Sequence, residues 1–236
     1  QTNKFIIIDF DFRTELSQGL LFFNYDIEND QYFYIRLLSS DYIQINFKSR
    51  VRYEDPNSND LRLTNFFDFY FNDTYKIPNL SNGYWNNLNT VFDLDKKLFL
   101  LNFNYTRIAT KDLITNRTIP MNLFELIKNF RFQFTFYLNV EFYFGGFDDS
   151  NIEKILDELE EIWVPRQTVE YFRPLFVLFT EIKENLYFSG CIKNIKINSF
   201  ELDFSNLKNI ITYKHVRYDG CPNLKYSNFD SIKKII

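Results

Sequence analysis

The sequence predicts an all-β protein, a single β-sandwich of two antiparallel sheets in jelly-roll topology. Three observations point to this fold class. Apolar and polar residues alternate with a period of two in several runs, which is the pattern of half-buried strands. Turn-forming Asn, Asp, Ser and Gly residues separate most of these runs. Aromatic residues make up 20% of the chain, with 29 Phe and 16 Tyr, and such side chains favour strands and fill the space between sheets.

The strand predictions follow the alternation along the chain. Phe10 and Phe12 alternate with Asp9, Asp11 and Arg13, so that one face of the first strand is aromatic and the other is charged. Further strands are predicted over residues 20–25, 32–38, 42–47, 61–71, 98–105, 130–136, 140–144, 171–180 and 187–197. Many short strands with few helical segments are typical of a sandwich or jelly roll.

One stretch has a helical period instead. In residues 151–163 apolar side chains recur at steps of three and four, Ser150 and Glu153 form a capping-box pattern, and Pro165 ends the run. We therefore predict one amphipathic helix of about three turns. Its acidic face is read either as the solvated side of a packed helix or as a ligand-binding face. A weaker helical turn is predicted over residues 121–128.

Composition and motifs exclude several function classes. The net charge of −4 and the pI near 5.2 argue against a nucleic-acid partner. One His and two Cys cannot supply four zinc ligands, and a Ser/His/Asp triad would have to use His215. Glu201 and Asp203 are not followed by the second glutamate that a glycosidase strand would carry. No apolar run reaches 18 residues, so no membrane insertion is expected. We expect a protein that is not an enzyme.

The organisation of the chain indicates one domain over residues 1–236, because no linker or internal repeat divides it. The chain begins without Met and without a signal-peptide pattern, which suggests a piece of a longer protein. Two cysteines would pair in a secreted protein and stay as buried thiols in a cytosolic one. Sequons favour secretion and predict exposed glycosylation sites at Asn72, Asn79, Asn104 and Asn116.

A series of short motifs resembles the laminin G-like (laminin–neurexin–sex-hormone-globulin) domain family. The motifs are FDFRT at residues 10–14, GLLF at 19–22, NGYW at 82–85, FGG at 144–146, FSGCIKNIKINSFELD at 188–203 and GC at 220–221. All six glycines lie in them. A departure is Asn86, which stands where the family usually has His. The resemblance implies a concanavalin/laminin G-like sandwich with its core over about residues 5–221, an insertion over about 148–185 that holds the predicted helix, and a tail over 222–236.

The resemblance also implies specific site residues. It pairs Cys191 with Cys221, a bridge that would remove roughly 3.5–4 kcal/mol of loop entropy from the unfolded chain. Many members of the family bind one Ca²⁺ through an early acidic residue and an oxygen-bearing residue before the G-G strand. The nearest candidates are Asp30 and Asn139, while Val140 stands at the second position and offers no side-chain oxygen. A turn with solvated carboxylates is the alternative.

By resemblance, the function is that of a non-enzymatic extracellular recognition or adhesion module of a larger receptor or matrix protein, beside EGF-like or further laminin G-like domains. Its partner would be an extracellular protein ligand or cell-surface receptor, bound at the rim or on a sheet face. The alternative is a lectin-type domain for heparin-like glycans, with or without calcium. Residues 186–236 hold eight Lys or Arg against four acidic residues, a local excess that could attract sulfates.

Overall fold

The computed structural model describes residues 5–26, 31–54, 65–113, 131–135, 142–145, 188–198 and 200–201. Every regular element in these residues is a β-strand, and each strand pair is antiparallel. The strands are β1 (Phe5–Arg13), β2 (Gly19–Asp26), β3 (Gln31–Ser39), β4 (Tyr42–Glu54), β5 (Asn65–Lys76), β6 (Asn86–Asp93), β7 (Leu98–Phe103), β8 (Thr106–Asp112), β9 (Arg131–Thr135), β10 (Phe142–Phe144), β11 (Cys191–Ile197) and β12 (Phe200–Glu201).

These strands form two sheets. The first sheet has the order β12-β11-β1-β6-β7-β8, and the second has the order β10-β2-β3-β4-β5, with β9 paired to the far end of β4. In the first sheet, β1 lies between β6 and β11, so the N-terminal strand joins segments about 80 and 180 residues away along the chain. The predicted antiparallel β-sandwich is therefore confirmed.

The core lies between the two sheets and combines Phe and Tyr rings with Ile and Leu side chains. On β1 the buried residues alternate with half-buried ones, as the sequence period predicts. Phe92 of β6 is fully buried, and its ring centroid lies 4.8 Å from those of Phe47 and Phe99, 5.3 Å from Phe33 and 5.6 Å from Phe71. Three of these four rings belong to the second sheet, so Phe92 is the central contact between the layers.

Several strand predictions need correction. Strands β6, β8 and β12 were not predicted, because their alternation is weak: β6 turns Asn86 and Thr90 inward, and six of the seven residues of β8 are exposed. The predicted strand over 61–71 lies instead at Asn65–Lys76, and β4 continues seven residues beyond 47. The strand predicted over 98–105 ends at Phe103, since the next two residues form a turn.

The open edges of the two sheets meet at one side of the sandwich. Lys111 of β8 places its Nζ 2.6 Å from Oδ2 of Asp73 on β5 and 5.3 Å from the centroid of the Tyr75 ring. The Tyr75 hydroxyl donates a hydrogen bond of 3.2 Å to the same carboxylate oxygen. Burial and the neighbouring Asp73 carboxylate raise the pKa of Tyr75 far above its ordinary value. These contacts join the first sheet to the second.

Other predictions fall outside the described residues: the helix over 151–163, the helical turn over 121–128, the strand over 171–180, the insertion and the tail. Where the structure is described, it contains no helix of the length and hydropathy needed to cross a membrane.

Candidate functional site

Three segments meet at the end of the sandwich where β1 ends, and Thr14 joins them. Its buried hydroxyl donates to the Ser189 carbonyl at 2.7 Å and accepts from the Leu16 amide at 3.0 Å. Its own carbonyl accepts from the Gly83 amide at 2.9 Å. The Ser81 hydroxyl adds a 2.7 Å bond to the Leu16 carbonyl. We call this end, formed by residues 14–18, 80–85, 104–105 and 188–190, the rim.

The turn between β7 and β8 is attached to the rim by Asn104. Asn104 and Tyr105 both have positive φ, 47° and 63°, as in the two-residue turns that suit antiparallel hairpins. The Asn104 side chain accepts a 2.8 Å bond from the Asn87 amide and donates one of 3.1 Å to the Asn86 side chain. Asn86, where the resembling family has His, thus ties the hairpin to the rim.

Two glycines of the quoted motifs have a clear physical role at the rim. A Cβ on Gly190 would overlap the Arg13 carbonyl oxygen and lie 2.6 Å from Cζ of Phe188. Gly83 has φ of 73°, a conformation that strains other residues, and a Cβ there would lie 3.0 Å from a Glu15 carboxylate oxygen. The close packing of these segments therefore depends on the absence of two side chains.

Large apolar side chains are exposed at the rim, on segments that these hydrogen bonds hold together. Leu16 is 41% exposed, Tyr84 59% and Tyr105 88%. The backbone beside each of them is held by the hydrogen bonds above, and the Tyr84 amide donates to the Asn82 side chain at 2.9 Å. Exposed aromatic residues on ordered loops are available as contacts for a partner.

The part of the first sheet's outer face that adjoins the rim is polar, whereas the row beyond it, Ile7, Val91 and Leu100, is apolar. Six side chains from β1, β6, β7 and β11 form a network that we call the polar band: Asp9, Asp11, Asn87, Asn89, Asn102 and Asn194. Asn87 Nδ2 donates to both aspartates at 2.9 and 3.0 Å, Asn89 donates to Asp9 at 3.2 Å and Asn194 to Asp11 at 2.6 Å. Asn102 donates to Asn89 at 2.8 Å. Each of these residues is half-buried or exposed.

Trp85 lies where the polar band meets the rim. The Lys193 ammonium is 4.0 Å from the centroid of its ring, and the Arg13 guanidinium carbon is 5.3 Å from it. Both distances are within the range of cation–π contacts. Lys193 is exposed, whereas Trp85 and Arg13 are half-buried. An aromatic surface therefore stands next to the amides and carboxylates of the band.

The outer face of the second sheet is closed around Tyr34 and Lys48, whereas Tyr70 and Asn72 on the outer face of β5 are exposed. Tyr34 points away from the aromatic core, as does Lys48, yet they are only 2% and 1% exposed. The Tyr34 hydroxyl accepts a 3.0 Å bond from the buried Asn46 side chain, and its ring stacks on Tyr32 at 6.2 Å. Buried side chains cannot receive a partner without rearrangement. The rim and the outer face of the first sheet are therefore more accessible than this part of the second sheet.

The predicted calcium ligands Asp30 and Asn139 lie outside the described residues. The strand ends that flank residues 27–30, Asp26 and Gln31, lie at the end of the sandwich opposite the rim. Among the residues that the structure describes, no three His, Cys, Asp or Glu side chains form a group that could hold a metal ion. Calcium binding therefore stays a prediction.

The other predicted site residues are partly described. Cys191 is disulfide-bonded, and Cys221 lies outside the described residues, so the pairing of the two stays a prediction. Asn72, Asn79 and Asn104 are exposed, as expected for glycosylation, and Asn116 is not described. Asn104 differs from the other two because both ends of its amide are hydrogen-bonded within the rim. Glycosylation at each position stays a prediction.

Three solved structures are similar to the chain at low sequence identity. The chain is similar to the mouse laminin α1 chain, domains LG4-5, at 15% identity over 86% of this chain and 38% of that one, with a TM-score of 0.45. It is also similar to the LG1-3 region of the laminin α2 chain, at 13% identity over 86% of this chain and 28% of that one, with a TM-score of 0.49. A third similar structure is the Ruminococcus gnavus IT-sialidase CBM40 bound to α2,3 sialyllactose, at 15% identity over 62% of this chain and 66% of that one, with a TM-score of 0.33.

The chain thus spans well under half the length of either laminin structure. No family model matches the sequence, and no curated protein sequence matches it. These similarities are too low to indicate a ligand, so the surface of the chain itself is the guide to what it binds.

Proposed function

We propose that this chain is a non-enzymatic recognition module of an extracellular protein and that it binds a protein ligand through the rim. The observation that carries the proposal is the exposure of Leu16, Tyr84 and Tyr105 on loops that are fixed by hydrogen bonds. Tyrosine is enriched among the residues that dominate binding energy, because it combines a large apolar area with a hydroxyl.

The rigidity of the rim supports the same proposal. Ordering a loop on binding costs free energy, and a loop that is already ordered avoids this cost. Here Thr14 connects three segments, and Asn104 attaches the fourth. The exposed side chains are therefore held in place before a ligand arrives.

The test is binding of a fluorescent, multivalent form of the chain to intact cells of the source organism. We expect that trypsin treatment of the cells abolishes binding, whereas enzymatic removal of surface glycans does not. The double variant Tyr84→Ala/Tyr105→Ala should lower the affinity about tenfold or more, since two interfacial tyrosines each contribute on the order of 1 kcal/mol or more.

A matched control is available on the same sheet. Phe5 is 43% exposed at the start of β1, at the end opposite the rim, and Phe5→Ala should leave binding unchanged. Binding that persists after trypsin, or that the tyrosine variant and the Phe5 variant weaken equally, would contradict a protein-binding rim.

A further inference from the structure

We infer that the polar band is a second binding site, whose ligand is a neutral oligosaccharide. This site adjoins the rim proposed above, uses side chains other than Leu16, Tyr84 and Tyr105, and needs no metal ion. The starting point is its geometry. Asp9 lies opposite Asn89 on β6 and Lys196 on β11, Asn89 lies opposite Asn102 on β7, and Asn102 lies opposite Arg107 on β8. Five adjacent strands thus place one polar side chain each in a row about 19 Å long.

The band is preorganised by its own hydrogen bonds. Asn87 holds the carboxylates of Asp9 and Asp11 at once, and Asn102 is held by the Arg107 Nε, which donates to its Oδ1 at 2.6 Å. A side chain that is already fixed loses little rotamer entropy when it binds a ligand. The network therefore presents a fixed array of polar atoms to solvent.

The array keeps the hydrogen-bonding capacity that a hydroxyl group requires. A carboxylate can accept about four hydrogen bonds, and Asp9 and Asp11 each accept two within the band. An amide nitrogen has two donor hydrogens, and the nitrogens of Asn89 and Asn102 each make one bond in the network. Each sugar hydroxyl both donates and accepts hydrogen bonds. The carboxylates of the band can accept from it, and the amide nitrogens can donate to it.

Trp85 supplies the apolar contact that hydroxyl recognition alone lacks. Its ring adjoins the band, and the exposed Lys193 above it can move aside because its side chain is flexible. The C–H face of a sugar ring can then pack on the indole while the hydroxyls reach the amides. The aromatic residue and the polar array together match an amphipathic, hydroxyl-rich ligand.

The charge distribution selects the class of saccharide. Two carboxylates occupy the middle of the band, Lys196 and Arg107 stand at its two ends, and Lys193 and Arg13 lie beside Trp85. A sulfate group at the centre of the band would meet like charges, whereas a neutral saccharide would not.

The experiment is an array of neutral, sialylated and sulfated oligosaccharides probed with the complete chain, followed by calorimetry with the neutral compound that binds best. We expect binding to neutral compounds that is insensitive to EDTA. The variant Asn89→Ala/Asn102→Ala should weaken it about tenfold or more, as should Trp85→Ala. Tyr105→Ala, a rim variant, should leave it unchanged.

Each contrary result overturns the inference. The contrary results are that no neutral compound binds, that sulfated compounds bind better than neutral ones, or that the wild type and the Asn89/Asn102 variant bind equally well. Should that double variant fail to fold, Arg107→Ala removes an exposed end of the network and is expected to weaken binding as well. Because Tyr105→Ala reports on the rim alone, failure at the band remains distinguishable from failure of the protein-binding rim.

Discussion

The substitution Phe92→Ala probes the contact on which the sandwich depends. Phe92 is fully buried, and its ring lies within 5.6 Å, between centroids, of four other phenylalanine rings, three of them in the opposite sheet. Truncating a buried Phe to Ala costs about 3–5 kcal/mol, through lost transfer free energy and the cavity that remains. Since a domain is stable by about 5–15 kcal/mol, this change should remove about a fifth or more of the stability.

The assay is urea unfolding followed by circular dichroism. We expect the midpoint to fall sharply while the slope with urea stays unchanged, because the same surface is exposed on unfolding. Phe92→Leu keeps most of the apolar volume and should cost roughly 1–2 kcal/mol. Tyr105→Ala, at an exposed site, should change the stability by less than about 0.5 kcal/mol. A loss below about 1.5 kcal/mol for Phe92→Ala would refute the view that aromatic contacts across the sheets dominate the core.

Three further predictions concern single contacts. Gly190→Ala should destabilise the chain by about 1–3 kcal/mol in the same assay, since the new methyl group overlaps backbone; a neutral effect would argue against the close packing at the rim. The stability of the wild type should fall as the pH rises above about 10, because the unfolded chain ionises Tyr75 while the folded chain, with its raised pKa, does not. Tyr75→Phe should reduce this alkaline loss, and an unchanged pH profile would contradict it. Lys111→Met should cost under about 1 kcal/mol, because its ion pair with Asp73 is partly exposed; a larger loss by urea titration would show that the two sheet edges depend on this pair.

The fold could be predicted from the sequence because the aromatic alternation is a local signal. On β1, Phe10 and Phe12 face the core and Asp9 and Asp11 face outward, as the period of two predicts. The same reasoning missed β6, where the inward positions Asn86 and Thr90 are polar. Their polarity is tolerated because they are hydrogen-bonded: Asn86 reaches the Leu80 carbonyl at 3.3 Å.

The rim was partly predictable, through motifs whose residues are distant in sequence. Thr14, Gly83 and Gly190 belong to three of the quoted motifs, and in the structure they meet. What no local pattern predicts is that the adjacent tyrosines are exposed. Tyrosine is buried at some positions of this chain, as at Tyr34, and exposed at others, as at Tyr70, and only the packing around each residue separates the two situations.

The polar band could not be predicted because it depends on strand register. Asn194 reaches Asp11 across 183 positions of sequence, and Asn89 reaches Asp9 across 80. A slip of one residue in any of these strands would turn the side chains to the other face. The sequence does contain one relevant signal, the polar residues at the outer positions of β1 (Asp9, Asp11) and β6 (Asn87, Asn89). These residues indicate a polar outer face, but they do not indicate which side chains meet.

The most direct test of the account is the accessibility of tyrosines that point away from the core on the two sheets. Hydroxyl-radical footprinting with mass spectrometry measures the modification rate of each tyrosine in the native chain. The account predicts rapid modification of Tyr84 and Tyr105 and strong protection of Tyr32 and Tyr34, whose exposures are 59%, 88%, 6% and 2%. Modification of Tyr34 at a rate similar to that of Tyr105 would show that the outer face of β3 is open, and would contradict the choice of the rim and the outer face of the first sheet over this part of the second sheet.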